Sequence, residues 1–282
     1  MKFLCLHGAY GSASNFQVQL GPFIQGVQRV SSSTFKWING GHGATPPPGF
    51  ANYFGTPPLF RFMEYDGVEG LDDMLVKIRN FPEGMTPEDA IRRLLGEEEM
   101  FTGDAVRGAL SRLLETIDAD PEIDACCYSL SITSTWSGIL GYSEGATTAA
   151  TLVLEERRRF EKDGTPRRIK CAVFFAGWPP VRLHEDNRVQ CLLADECEDM
   201  IDIPTCHIVG CNDPYIQGAM ALYSMCVEDV ALLFDHGKGH TVPRDQRTVR
   251  ELATAICNTV AKAENLCHDI GLAGEGCTNA TS

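Results

Sequence analysis

Residues 138–150 read GILGYSEGATTAA. An apolar run ends in Gly141-Tyr142-Ser143-Glu144-Gly145, and a run of small residues follows. A strand that turns at once into a helix crowds the residues two before and two after the turn. Glycine avoids the Cβ clash at both places. Such a turn lifts the Ser143 hydroxyl above the end of a sheet. It also puts the Glu144 N–H at a helix N-terminus, where the dipole favours developing negative charge. The G-x-S-x-G spacing alone arises by chance. Here a strand pattern precedes it and an Ala- and Thr-rich helix pattern follows, which is the context that gives it meaning.

Working outward, short apolar runs recur along the chain at 2–7, 34–38, 137–142, 169–176, 205–210 and 230–235. They have strand length and β-branched or aromatic content, and none alternates cleanly with polar residues. That is the pattern of strands buried on both faces. Helical patterns lie between them, at 104–117, 146–162 and 245–263. The expected fold is α/β, a doubly wound and mostly parallel sheet of about six strands. Two stretches depart from it. Residues 40–66 are rich in Gly, Pro and aromatics and read as a long loop. Residues 81–103 contain a short helix capped at Thr86 with Pro87 at its first position. Together, at about 40–103, they are expected to form a lid or one wall of a pocket. One domain over 1–264 and a flexible tail over 265–282 complete the expected organisation.

A serine hydroxyl is a weak nucleophile at neutral pH and needs a base. His240, in DHGKGHTVP after the last strand pattern, stands on a loop at the carboxyl end of the sheet. His236, four residues earlier, is its rival. The acid that orients the histidine is expected at a strand end between the two. Asp213, in HIVGCNDPY, meets that description, and Asp235 does so less well because it lies only five residues from His240. The order Ser, Asp, His is that of an α/β-hydrolase. A second oxyanion donor is expected after the first strand, in LCLHGAYGS: the Ala9 N–H, with Tyr10 as the alternative, beside that of Glu144. His7 reads as a structural residue that holds this loop. Phe50, Tyr53, Phe54, Trp178 and Pro179 are candidates to line an apolar acyl pocket.

Composition sets the bounds. The 282 residues carry 24 Lys and Arg against 38 Asp and Glu, a net charge of −14. Such a chain is repelled by phosphate backbones and by anionic membranes, so neither nucleic acid nor membrane is an expected partner. No apolar stretch approaches the ~18 residues of a membrane span, and the first apolar run is too short for a signal peptide, so a cytoplasmic location is expected. The chain has 12 cysteines, but no pair has zinc-ribbon spacing, and neither metal nor organic cofactor is called for.

FLCLHG, GYSEGA, VGCNDP and HGKGHTVP together resemble the fungal and yeast family of serine hydrolases, which includes the human ovarian-cancer-associated hydrolase 2 type. NYFGTPPLFRFMEYDG is similar to that family's aromatic and proline segment. The resemblance implies an α/β-hydrolase with Ser143, Asp213 and His240 as charge-relay residues. It further implies a thioesterase of fungal secondary metabolism, releasing a polyketide or fatty acyl chain from an acyl carrier protein. A carboxylesterase on a free small molecule and a non-catalytic binding protein are the alternatives. The chain departs from the family in two places. Glu144 stands where the family usually has Gln, and residues 125–136 stand where it runs almost directly from helix into strand. Arg157, Arg158, Arg159, Arg167 and Arg168 form a basic cluster. It reads first as a solvated helix end and second as a landing surface for an acidic carrier.

Overall fold

The computed structural model describes residues 1–46, 54–63, 84–96, 101–119 and 136–275. In chain order the elements are β1 (Lys2–Leu6), α1 (Ala13–Gln28), β2 (Thr34–Ile38), β3 (His42–Ala44), β4 (Leu59–Arg61), α2 (Pro87–Leu95), α3 (Gly103–Asp118) and β5 (Trp136–Tyr142). Then come α4 (Glu144–Asp163), β6 (Cys171–Phe175), β7 (Val181–Leu183), β8 (Val189–Cys191), β9 (Thr205–Val209), α5 (Ile216–Ser224), β10 (Ala231–Asp235) and α6 (Gln246–Glu275).

Six strands form one sheet in the order β10-β9-β6-β5-β1-β2. Every neighbouring pair is parallel. Alternation along the strands divides the core into two layers. Leu4, Leu6, Ile139 and Phe174 face one side, under α3 and α4. Phe3, Cys5, Leu140, Val173 and Phe175 face the other, under α1 and α6. Helices cover both faces, and the central strands β1, β5, β6 and β9 are buried almost throughout, as expected for a parallel sheet, while the edge strands β2 and β10 are partly exposed. The strand order reverses between β1 and β5: the chain goes from β1 outward to β2, then returns to β5 on the other side. The crevice at the carboxyl ends of those two strands is where such sheets bind ligands.

Helix α1 is not marked by the sequence patterns above. Its stripe is Phe16, Leu20, Phe23 and Val27, all buried. Each such side chain contributes roughly 1.5–3 kcal/mol of burial. Ser12 caps it by accepting the Asn15 N–H at 3.2 Å. Pro22 lies inside it and deprives the Val18 carbonyl of its helical donor, on the solvent side of the helix, where Val18 is 77% exposed.

The expected helix after Thr86 is present, with Pro87 in its first turn and the Thr86 hydroxyl accepting the Asp89 N–H at 3.1 Å. The stretch read as a long loop contains a short antiparallel pair instead, β3 with β4, in which His42 faces Arg61. The closing helix does not stop near Ala263 but continues to Glu275, so the first part of the expected tail is helical. Residues 125–135 of the departure from the family lie outside the described residues, and Trp136 begins β5. Among the described residues, no helix is long and apolar enough to cross a membrane.

Candidate active site

Ser143 joins β5 to α4 with φ 53° and ψ −120°. A non-glycine residue there is strained, at a cost of order 1–3 kcal/mol that the surrounding structure must outweigh. The two flanking glycines show how tightly the turn is packed. A Cβ on Gly141 would stand 2.3 Å from the Gly145 carbonyl oxygen, and a Cβ on Gly145 would stand 2.3 Å from that of Leu6. Both contacts are with backbone, so neither can relax cheaply. The Ser143 N–H donates to Phe175 O at 2.8 Å, while its carbonyl accepts from Ala146 and Thr147 and starts the helix. The small residues of α4 then serve the neighbouring loop. Thr147 Oγ1 accepts the Trp178 N–H at 3.0 Å, and Thr151 Oγ1 accepts that of Val181 at 3.1 Å.

Three side chains distant in sequence meet at this turn. His240 Nε2 is 3.1 Å from Ser143 Oγ, and His240 Nδ1 is 2.7 Å from Asp213 Oδ2. The Asp213 side chain is 2% exposed, and its other oxygen accepts the Tyr215 N–H at 2.8 Å. The carboxylate is an acceptor, so Nδ1 carries the proton and Nε2 turns its lone pair to the hydroxyl. Two tyrosines hold the imidazole. Tyr142 donates from its hydroxyl to the His240 carbonyl at 3.2 Å, and Tyr215 lies edge-on to the ring at 5.1 Å. An imidazole so held can take the Ser143 proton, and its own positive charge would lie against Asp213.

The loop after β1 lies against the same turn. A Cβ on Gly8 would be 3.3 Å from that of Ser143 and 2.9 Å from the Tyr142 ring. The loop closes with the Gly11 N–H donating to Gly8 O at 3.1 Å, and Tyr10 takes φ 55° within it. Ala9 and Tyr10 therefore follow directly on the residue that touches the nucleophile turn. His7 secures the loop from both ring nitrogens. Nδ1 donates to Gly8 O at 2.7 Å and Nε2 accepts the Gly40 N–H at 3.0 Å. Burial lowers the His7 pKa to about 4, which keeps the ring neutral and able to accept.

Glu144 gives this site a feature the sequence reading did not foresee. Its carboxylate points into the protein, 5% exposed, and pairs with Arg61 at 2.6 Å. Burial pushes its pKa up, while Arg61 and the Phe62 and Met63 amides draw it back; the net direction is upward.

The other candidates fall on both sides of the site. Tyr10 and Phe54 pack ring to ring at 5.0 Å, which places Phe54 over the first loop. Trp178 lies 6.2 Å from Tyr215, the residue against His240, and packs on the Ile91, Leu193 and Ala221 cluster under α2. Pro179 is buried. Phe50 and Tyr53 lie outside the described residues. A cavity of about 370 Å³ opens elsewhere, between the end of β2 and α3, with Phe62 and Leu113 in its wall. None of Ser143, Asp213 and His240 lines it, so its size says nothing about the acyl group. His236 makes no bond to Ser143: its N–H donates to Val209 O. Asp235 caps its own turn, accepting from Cys211 and Gly237. The basic cluster is largely engaged: Arg157 with Glu161, Arg158 with Glu155 and Arg167 with Asp202. Sequence reasoning missed Tyr142, Tyr215 and Arg61. Tyr142 adjoins the serine and Tyr215 follows Asp213 by two, so proximity to the motifs was a usable signal for both; Arg61 offered none.

Residues 1–252 match the family model described as Serine hydrolase (FSH1). The chain belongs to that family, and it is an α/β-hydrolase enzyme. Among characterised relatives it is similar to Esterase FPY3 of Fusarium mangiferae, 23% identical over 93% of this chain and 98% of the relative. It is also similar to Esterase citA of Monascus ruber, 25% identical over 90% and 92%. Among solved structures, Arabidopsis thaliana SOBER1 matches 92% of this chain and 99% of its own, with TM-score 0.50 and 14% identity, a likeness of fold.

Proposed function

We propose that this member of the serine hydrolase family transfers an acyl group to water through Ser143, and that its substrate is an acyl thioester. The relay Ser143 Oγ, His240, Asp213, at 3.1 and 2.7 Å, is the observation that carries the reading. His240 Nε2 takes the hydroxyl proton as Ser143 attacks the carbonyl carbon. Asp213 holds the imidazole in the required tautomer and faces the imidazolium that forms. The Glu144 and Ala9 N–H groups receive the oxyanion; each such donor typically contributes ~10²–10³ in turnover. The imidazolium then protonates the leaving thiol, and water repeats the cycle on the acyl-enzyme, releasing a carboxylic acid.

The finer reading is release of a polyketide or fatty acyl chain from an acyl carrier protein. Tyr10, Phe54, Trp178 and Tyr215 around the relay suit a bulky apolar acyl group. A carrier would have to approach the mouth of the site. Arg157 stands fourteen residues along α4 from Ser143, about 21 Å at the helical rise, and so offers no landing beside the nucleophile. A second reading, a carboxylesterase on a free ester, draws on the similarity to Esterase FPY3 and Esterase citA. Kinetics with N-acetylcysteamine thioesters and ethyl esters of the same acyl chains tests the choice, with Ser143→Ala as control. The thioester reading predicts a preference that exceeds the difference in uncatalysed hydrolysis. Equal or better turnover of the ethyl esters supports the second.

A further inference from the structure

Four N–H donors converge on the Glu144 carboxylate. Oε2 accepts from Arg61 Nε at 2.7 Å and from Arg61 Nη2 at 2.6 Å. Oε1 accepts the backbone N–H of Phe62 at 2.7 Å and of Met63 at 3.3 Å. Only a carboxylate accepts at both ends. A glutamine in its place would turn its NH₂ either to the guanidinium or to the two amides, donor against donor. The Arg61 side chain is 14% exposed, so the pair is shielded from water and its loss is not replaced by solvent.

What the pair joins is the two sides of the oxyanion position. Glu144 carries one proposed donor on its own backbone. Arg61 belongs to β4, and β4 is fastened to the loop that carries the other: the Phe60 N–H donates to Gly11 O at 2.7 Å. The Arg61 guanidinium also lies over the Tyr10 ring, 5.4 Å from its centre. On its far side the arm has no room to retreat, since a Cβ on Gly40 would stand 2.2 Å from the Arg61 carbonyl oxygen. Phe62 continues the contact by packing on His7 at 4.7 Å. The nucleophile turn, the first loop and the β3–β4 arm are thus tied through one buried ion pair.

We propose that Glu144 and Arg61 form a positioning pair that sets the spacing of the two oxyanion donors, so that the carboxylate of Glu144 supports turnover as well as its backbone N–H. Neither side chain touches the substrate. The proposal rests on the hydrolase reading of Ser143, Asp213 and His240. It places the effect in the transition state, where the oxyanion exists, and not in ground-state binding.

The test compares the wild type with Glu144→Gln, Arg61→Gln, Arg61→Lys and the double variant Glu144→Gln/Arg61→Gln. Turnover of a short-chain p-nitrophenyl ester is measured together with inhibition by a trifluoromethyl ketone, whose adduct carries the oxyanion. Labelling of the wild type by a fluorophosphonate is run in parallel. Each Gln single variant is expected to lose about 10–100-fold in kcat with KM within about threefold, and to bind the ketone more weakly in proportion. The double variant is expected to recover at least about tenfold over Glu144→Gln, because its two amides can pair with each other. Arg61→Lys keeps the charge and loses the two-point contact; its expected kcat lies between wild type and Arg61→Gln, and it serves if a Gln single variant does not fold. The pair is refuted if the folded variants keep kcat within twofold, if only KM changes, or if the double variant is no better than the worse single. Should the wild type resist the fluorophosphonate at Ser143, the hydrolase reading falls, and the pair with it.

Discussion

The hydroxyl of Tyr142 donates to the backbone carbonyl of His240 at 3.2 Å, and the two rings lie 5.4 Å apart. The residue just before the nucleophile therefore holds the loop that carries the base. Strand β5 fixes Tyr142, so the loop inherits the register of the sheet. Removing that hydroxyl leaves the relay intact but loosens its placement. Tyr142→Phe is expected to lower kcat about 3–10-fold with little change in KM, consistent with loss of one hydrogen bond of ~1 kcal/mol. Steady-state kinetics at constant pH checks it.

Asp213→Asn should be far more damaging than its small size change suggests. Its buried carboxylate accepts from His240 Nδ1 and from the Tyr215 N–H. An amide favours the wrong imidazole tautomer, and a loss of ~10³–10⁴ in kcat is expected without a large fall in thermal stability. Kinetics and a melting curve on the same preparation separate the two effects.

Gly145→Ala is expected to prevent folding to the native state or to lower stability by more than ~3 kcal/mol. The added methyl would meet the backbone carbonyls of Leu6 and His7 at 2.3 and 2.4 Å. Overpacking against backbone has no cheap relaxation. Ala146, one residue later and also buried, provides the comparison: Ala146→Gly is expected to leave a folded protein that is only modestly destabilised, by about 1 kcal/mol. Urea denaturation of both variants decides the point.

Acid should weaken the fold through His7. Burial lowers its pKa from 6.5 to about 4, so the folded state binds the proton less readily than the unfolded chain. The stability it supports is present above the unfolded value and is lost as pH falls toward the folded one. Between pH 7.5 and pH 5 this amounts to about 2 kcal/mol. His207, lowered by burial to about 3, acts in the same direction. His7→Gln is expected to be less stable at neutral pH and to lose about 2 kcal/mol less over that interval. Equal slopes for wild type and variant in urea denaturation would contradict this account of His7.

Much of the molecule was legible because burial leaves a plain mark. All six strands of the main sheet coincide with apolar runs; the central strands β1, β5, β6 and β9 are buried almost throughout, while the edge strands β2 and β10 keep apolar residues though partly exposed. The nucleophile turn was legible for a steric reason: Gly141 and Gly145 stand where backbone approaches to 2.3 Å. The motifs that follow strand ends, around Asp213 and His240, could then be ordered along the chain. Elements without a periodic stripe were not visible. The three-residue strands β3 and β4 lie in a Gly- and Pro-rich stretch where two or three side chains define no period. Helix α1 has a buried stripe of its own, but Pro22 interrupts its sequence as a helix breaker, tolerated here on the side of the exposed Val18. The pairing of the Glu144 side chain was not visible for a different reason. Its partner lies 83 residues away in that same patternless stretch, and no local signal connects the two.

The proposed hydrolysis by this chain requires the Ser143 hydroxyl as nucleophile, activated by His240. Intact-mass analysis after exposure to a fluorophosphonate, followed by peptide mapping, tests it most directly. One adduct per chain is expected, located on Ser143, absent from Ser143→Ala and strongly slowed in His240→Ala. An adduct that persists in Ser143→Ala, or a wild-type chain that stays unmodified while it hydrolyses esters, would contradict it.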